Sequence, residues 1–296
     1  MCWVDLLAEA KARLDAALGP DRAQEARWLI ERVSGYGPAE LVVRGNEPVG
    51  TRSVAFFDQL LARRVKGEPL QYVLGRWAFR TLDLFVDANV LIPRPETEMV
   101  AGLAIDALRI HDAPLVADLG TGSGAIACSL AVELPTARVW ASDVSRGALQ
   151  VARANVAGLG RAGARVTVCE GSWFDALPED LIENLDVIIS NPPYVASTDW
   201  LPAEVRDWEP ALALFGPGPE GHDHIEHLID RAPQWLAPGG TLVIEMQPNQ
   251  TEWAVSRAIK AGLLDTHVVC DLADRPRALV ATKSVREIKR IMGSPR

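Results

Sequence analysis

Seven short apolar runs recur between Leu115 and Lys283, and segments of helical length separate most of them. The runs are Leu115–Gly120, Ala137–Asp143, Arg165–Gly171, Leu185–Ser190, Thr241–Met246, Thr266–Leu272 and Arg277–Lys283. Between them lie SGAIACSLAVEL, stopped by Pro135, then RGALQVARANVAGLG, a helix from about His222 to Leu236, and TEWAVSRAIKAG. Strands alternating with helices predict a doubly wound α/β sheet. Strands that are apolar throughout, not on alternate residues, predict a sheet covered on both faces. The last two runs have no room for a helix between them, so they are expected to pair antiparallel.

The first 74 residues follow another rule. Trp3, Leu6, Leu7, Ala10 and Leu14 recur at helical spacing. AQEARWLIERVSG after Asp21, a short helix from Pro38 and VAFFDQLLARRVKG after Thr51 or Ser53 extend the pattern, with Gly35 and Gly67 as stops. A small helical bundle is expected over 1–74, a hairpin-like connector with turns near Thr81 and Asn89 over 75–92, and the α/β domain over 93–296. From Ser284 the chain is polar and mildly basic, and a frayed terminus is expected.

Composition narrows the function. Among 296 residues, 48% are hydrophobic and 23% charged, which suits a globular chain. The net charge of −9 argues against a surface that grips nucleic acid through many phosphates, and direct nucleic-acid binding is not expected. No apolar run approaches the ~18 residues of a membrane span. The amphipathic start does not read as a signal peptide, and the four cysteines form no CxxC pair. A cytoplasmic protein with reduced thiols, and no membrane partner, is expected.

Two motifs carry chemistry. Asp118-Leu-Gly-Thr-Gly-Ser-Gly124 ends the first strand and opens a helix. Gly120, Thr121, Gly122, Ser123 and Gly124 let backbone approach a ligand at the carboxyl edge of the sheet. Asp143, closing the second strand, is placed to accept hydrogen bonds from two ribose hydroxyls. The spacing is GxGxG, not the GxGxxG of dinucleotide binders, and no GK[ST] follows, so a P-loop is not expected. Asn191-Pro-Pro-Tyr194 follows the fourth strand directly. Pro192 and Pro193 stiffen the loop and remove two donors. The Asn191 side-chain oxygen and the carbonyls of Asn191 and Pro192 remain as acceptors for both hydrogens of a planar NH₂ group. Tyr194 adds a flat face for stacking or packing. His222, His224 and His227 do not share one helical face and read as a polar helix start, so no metal is expected.

The glycine turn, Asp143 and Gly171-Ser-Trp-Phe174 resemble class I S-adenosylmethionine-dependent methyltransferases. The resemblance implies a Rossmann-like seven-stranded fold, S-adenosylmethionine as cofactor and S-adenosylhomocysteine as product. It also implies that Ser172 and Trp173 flank the adenine, although Ser172 stands where family members often carry an acidic residue. NPPY is similar to the motif of methyltransferases acting on planar NH₂ groups in DNA, RNA and proteins.

Gly67-Glu-Pro-Leu-Gln-Tyr-Val-Leu-Gly75, Leu84-Phe-Val86, Leu91-Ile-Pro-Arg-Pro-Glu-Thr-Glu98 and Asp271-Leu-Ala-Asp-Arg275 extend the similarity to nearly the whole chain. Together they resemble the release factor glutamine methyltransferase family (PrmC/HemK). That resemblance implies methylation of the GGQ-loop glutamine of class I peptide chain release factors, with the helical domain helping to recognise that protein substrate. Asn191, Pro192 and Tyr194 are then the catalytic candidates. Arg94 and Glu96 are candidates for the substrate mouth, against a plain reading as connector salt bridge and helix N-terminal carboxylate. Two stretches depart from the family pattern, Glu245-Met-Gln-Pro-Asn-Gln250 and the proline-rich Phe215–Gly221. Both are expected to lie away from the methyl-transfer centre. The rival readings are a nucleic-acid adenine or guanine N-methyltransferase, a paralogue acting on another protein amide, a non-catalytic binding protein and a nicotinamide-dependent oxidoreductase.

Overall fold

A computed structural model describes residues 1–285, so the tail expected to fray lies, beyond Val285, outside the described residues. The chain separates into two compact units. One contains Met1–Trp77, Phe85–Ala88 and Trp200–Glu209; the other contains Ala78–Leu84, Asn89–Asp199 and the chain from Pro210.

The first unit is helical: α1 (Trp3–Leu18), α2 (Ala23–Ser34), α3 (Pro38–Arg44), α4 (Thr51–Val65) and α5 (Leu70–Leu74). The apolar spacing read in α1 puts Trp3, Leu6, Ala10 and Leu14 in a core with Leu29, Ile30, Phe57 and Leu61. Gly35 ends α2 in the left-handed conformation, donating its N–H to the Glu31 carbonyl. Neither Thr51 nor Ser53 caps α4; Gly50 is the cap residue and Thr51 already lies in the helix. Arg64, only 4% exposed, donates to Glu25 (2.6 Å) and Glu204 (2.8 Å). That pairing explains how Trp200–Glu209, remote in sequence and carrying a short helix, belongs to this unit. Its sequence gave no sign of it.

Strands Arg76–Phe79 (β1) and Leu82–Phe85 (β2) form the expected hairpin. Arg80 in its turn is held by a bidentate pair to Glu133 (2.5 and 2.7 Å) and by the Glu98 carbonyl.

The second unit is a seven-stranded sheet of β3 (Leu115–Leu119), β4 (Arg138–Asp143), β5 (Val166–Glu170), β6 (Leu185–Ser190), β7 (Leu236–Glu245), β8 (Leu263–Cys270) and β9 (Pro276–Lys283). Their order is β5-β4-β3-β6-β7-β9-β8. The first five pair in parallel, whereas β9 runs antiparallel between β7 and β8. Helices α6 (Pro95–Leu108), α7 (Ala125–Glu133), α8 (Arg146–Gly158), α11 (Asp223–Trp235) and α12 (Thr251–Lys260) cover the sheet, and two buried apolar clusters line its two faces. Ala203–Trp208 (α9) and Ala211–Leu214 (α10) are short. Among the described residues no helix is long and apolar enough to cross a membrane.

Candidate active site

The strand order reverses beside β3, where a doubly wound sheet opens a crevice at the carboxyl ends of its strands. Both motifs leave the sheet there. Asp118 of β3 pairs in register with Ile189 of β6, and the Ser190 hydroxyl donates to the Leu119 carbonyl at 2.6 Å. The glycine turn and NPPY therefore begin from two strand ends fastened together.

A cleft of about 1090 Å³, open mouth included, lies over this edge. Gly120, Thr121, Gly122 and Ser123 form one wall, with Asp143, Ser172 and Trp173 beyond them. Asn191, Pro193 and Arg94 also line it. Four residues singled out in the sequence stand elsewhere. Gly124 begins α7 and packs against Ala152 of α8. Pro192 is buried behind the wall, and Tyr194 packs against the core under the sheet's edge. Glu96 turns to Arg275 (3.3 Å) and Arg277 (3.9 Å), arginines that also bind Asp271, so it takes part in a surface ion-pair cluster.

The glycine wall is shaped by absent side chains. Gly120 has φ +74, and a Cβ there would stand 3.1 Å from the Trp173 ring. Gly122 has φ +54 and open space where its Cβ would be, so the backbone itself faces the cleft. Beneath the turn, fully buried Asp118 accepts from the Thr121 hydroxyl (2.6 Å) and the Ala127 N–H (3.1 Å) through Oδ2. Its Oδ1 has no partner, and burial pushes the carboxyl up to about 7. Asp143 accepts from the N–H groups of Gly122 (2.9 Å) and Ser145 (2.8 Å). Burial raises its pKa and those backbone donors oppose the rise.

Trp173 has φ +48, an uncommon conformation for a bulky residue, and its ring meets His224 of α11 at 5.0 Å. His224 lines the cleft, whereas His222 stacks on Trp253 and His227 lies nearer Phe174. Among the described residues no three His, Cys, Asp or Glu side chains gather as metal ligands.

The NPPY wall rests on side chains that the sequence reading passed over. Asn191 donates its Nδ2 hydrogen to the hydroxyl of Thr97 (3.0 Å), the threonine of the Pro-Glu-Thr-Glu run in α6. Tyr194 donates its hydroxyl to Glu245 Oε1 (3.1 Å). Burial raises Glu245 to about 7, against the Thr97 and Tyr194 hydroxyls and the Arg277 guanidinium. Its Oε2 meets no partner within hydrogen-bonding geometry. Burial and the Glu245 charge raise the Tyr194 hydroxyl far above its ordinary value, so it stays a neutral donor.

The two departing stretches are not remote. Gln250 donates to the Tyr194 carbonyl (2.9 Å) and the Glu220 carbonyl (3.0 Å). A Cβ on Gly216 would stand 2.7 Å from the Pro193 carbonyl oxygen, and one on Gly221 would stand 2.6 Å from that of Tyr194. Both stretches pack directly on the NPPY backbone, because the end of β7 and the loop before α11 converge on it.

The glycines, Asp143 and the cleft meet the needs of a nucleoside-bearing ligand with an amino-acid tail. Fold and site define a class I methyltransferase, a class whose methyl donor is S-adenosylmethionine. A methyltransferase from Pyrococcus furiosus shares the fold with TM-score 0.52 at 18% identity, over 77% of this chain and 100% of that one. Residues 5–75 match the PrmC N-terminal domain and residues 99–204 the methyltransferase small domain. The release factor glutamine methyltransferase of Streptomyces coelicolor is 39% identical over 286 residues, 94% of this chain and 97% of that relative. That of Geobacter sulfurreducens is 39% identical over 249 residues, 83% and 84% of the respective lengths. This chain belongs to the release factor glutamine methyltransferase family.

Proposed function

We propose that the protein transfers a methyl group from S-adenosylmethionine to the side-chain amide nitrogen of the GGQ-loop glutamine in class I peptide chain release factors. The observation that carries this reading is one cleft lined by both the glycine turn and Asn191. Gly120 to Ser123 hold the cofactor's methionine part, Asp143 its ribose, and Ser172 with Trp173 its adenine. Bound there, S-adenosylmethionine supplies an electrophilic methyl on a sulfonium.

The chain's own residues do the rest. With Nδ2 of Asn191 tied to Thr97, Oδ1 is the atom left to accept from a carboxamide. The Pro192 ring is buried, and its backbone carbonyl is the proposed acceptor of the second N–H. An amide nitrogen is a weak nucleophile because its lone pair is shared with the carbonyl. Fixing it near attack distance lowers the barrier, by up to roughly 7–11 kcal/mol in well-oriented cases. The two acceptors also stabilise positive charge as it develops on nitrogen. Arg94 shapes the cleft mouth, and the helical unit helps recognise the protein substrate. The reading puts the chain in the cytoplasm, with translation termination.

The test is incubation with labelled S-adenosylmethionine and a purified class I release factor, intact or with its loop glutamine replaced. Label is expected on the intact factor alone. Label on both, or on neither, would contradict the assignment.

A further inference from the structure

We infer that Thr97 is a positioning residue for methyl transfer: its hydroxyl fixes which end of the Asn191 carboxamide faces the cleft. This rests on the proposed role of Asn191. A carboxamide's oxygen and nitrogen ends are nearly the same shape, so its hydrogen-bond partners decide its orientation. The two orientations have opposite chemical consequences. An oxygen facing the cleft accepts from a substrate NH₂; a nitrogen facing it presents donor to donor and repels the same group.

Thr97 stands where that choice is made. It is 5% exposed, in the first turn of α6, and lines the same cleft as Asn191. Its oxygen is 3.0 Å from Asn191 Nδ2. A hydroxyl can donate or accept, so Thr97 holds this polarity only if its own proton is engaged elsewhere. Glu245, at the end of β7, supplies the acceptor. Its buried carboxylate faces the Thr97 hydroxyl as well as that of Tyr194. The order is therefore carboxylate, threonine hydroxyl, asparagine NH₂, with the asparagine oxygen left for the substrate.

Once ionised, the carboxylate is the only member of this series that cannot donate. It sets the direction of the others, and three segments distant in sequence must be present together for the orientation to hold. Replacing the carboxylate by an amide would allow the series to run backwards: a glutamine NH₂ donates to Thr97, and Thr97 donates to Asn191 Oδ1. The arrangement would look almost unchanged while presenting the wrong atom.

The experiment compares the unaltered chain with Thr97→Val, Thr97→Ser, Glu245→Gln and the Thr97→Val/Glu245→Gln pair, using purified release factor at saturating cofactor. Thr97→Val keeps the shape and removes the hydroxyl. It should lower kcat by about 10- to 100-fold, the scale of a small misplacement of a reacting group. Cofactor affinity and melting temperature should stay near those of the unaltered chain. Thr97→Ser restores the hydroxyl and should recover activity to within about 3-fold, which loss of packing alone would not allow. Glu245→Gln should slow transfer, and the double variant should be no slower than Thr97→Val alone, since both act through one series. A Thr97→Val enzyme as fast as the unaltered chain, or a Thr97→Ser enzyme as slow as Thr97→Val, would overturn the role of Thr97 while leaving that of Asn191 standing. An unaltered chain that methylates no release factor would overturn both.

Discussion

The glycine turn and the NPPY loop leave adjacent strands at the same edge of the sheet, yet they are built on opposite principles. One gains its shape from backbone freedom: Gly120 and Gly122 adopt positive φ, and the ligand wall is bare main chain. The other loses freedom: Pro192 and Pro193 fix the chain and leave acceptors without donors. Beneath each lies one buried carboxyl, Asp118 or Glu245, with an oxygen that lacks a partner and a pKa raised to about 7. The contrast fits the two tasks. A cofactor with many polar groups is gripped by close-lying backbone, whereas a single amide is held by a rigid set of acceptors.

The contrast breaks most sharply at Asn191. Asn191→Ala should lower kcat by about 10²–10³-fold, the scale for losing one preorganised polar group at a reacting centre. Cofactor affinity, measured by calorimetry, should change little. A parallel loss of affinity would mean that the two loops are not separate in function. Gly120→Ala should do the reverse. The added Cβ meets Trp173 at 3.1 Å and φ is +74, so a cost of about 1–2 kcal/mol is expected in stability, together with weaker cofactor binding. Transfer at saturating cofactor should fall less than for Asn191→Ala.

The paired carboxyls give a smaller effect. Asp118 and Glu245 have folded pKa values raised above their unfolded ones, so the folded state holds extra protons. Their stabilisation is complete below the unfolded values and is lost as pH rises through about 7. His224, held low by burial, acts in the opposite sense at more acid pH. Stability should therefore fall by roughly 1–2 kcal/mol between about pH 6.5 and 8, and Glu245→Gln should remove part of that slope. A melting temperature that rises with pH over this interval would contradict the burial of both groups. The smallest effect is expected at Glu96. Its nearer partner, Arg275, is exposed and Arg277 stands 3.9 Å away, so Glu96→Ala should change stability by under ~1 kcal/mol and transfer little.

Much of this was legible in the chain. The unbroken apolar runs disclosed a covered sheet, and the glycine turn and NPPY placed two chemical walls at one edge. The remainder was hidden by distance and by ambiguity of role. Thr97 reads as an ordinary first-turn residue of a helix; its partner Asn191 lies 94 positions away. Glu245 and Gln250 read as departures in a strand's exit, and only the folded sheet brings them under Tyr194. Glu96, the more conspicuous acid in the same run, turned away from the cleft to Arg275. Periodicity shows that β8 and β9 exist and pair, but strand order is not periodic information. The insertion of β9 beside β7 follows from tertiary packing alone.

A crystal structure with S-adenosylhomocysteine and a glutamine-bearing release-factor peptide tests the central claim most directly. The glutamine amide nitrogen should lie about 2.7–3.2 Å from Asn191 Oδ1, on the cleft side of the carboxamide. A glutamine bound elsewhere, or facing Asn191 Nδ2, would contradict it.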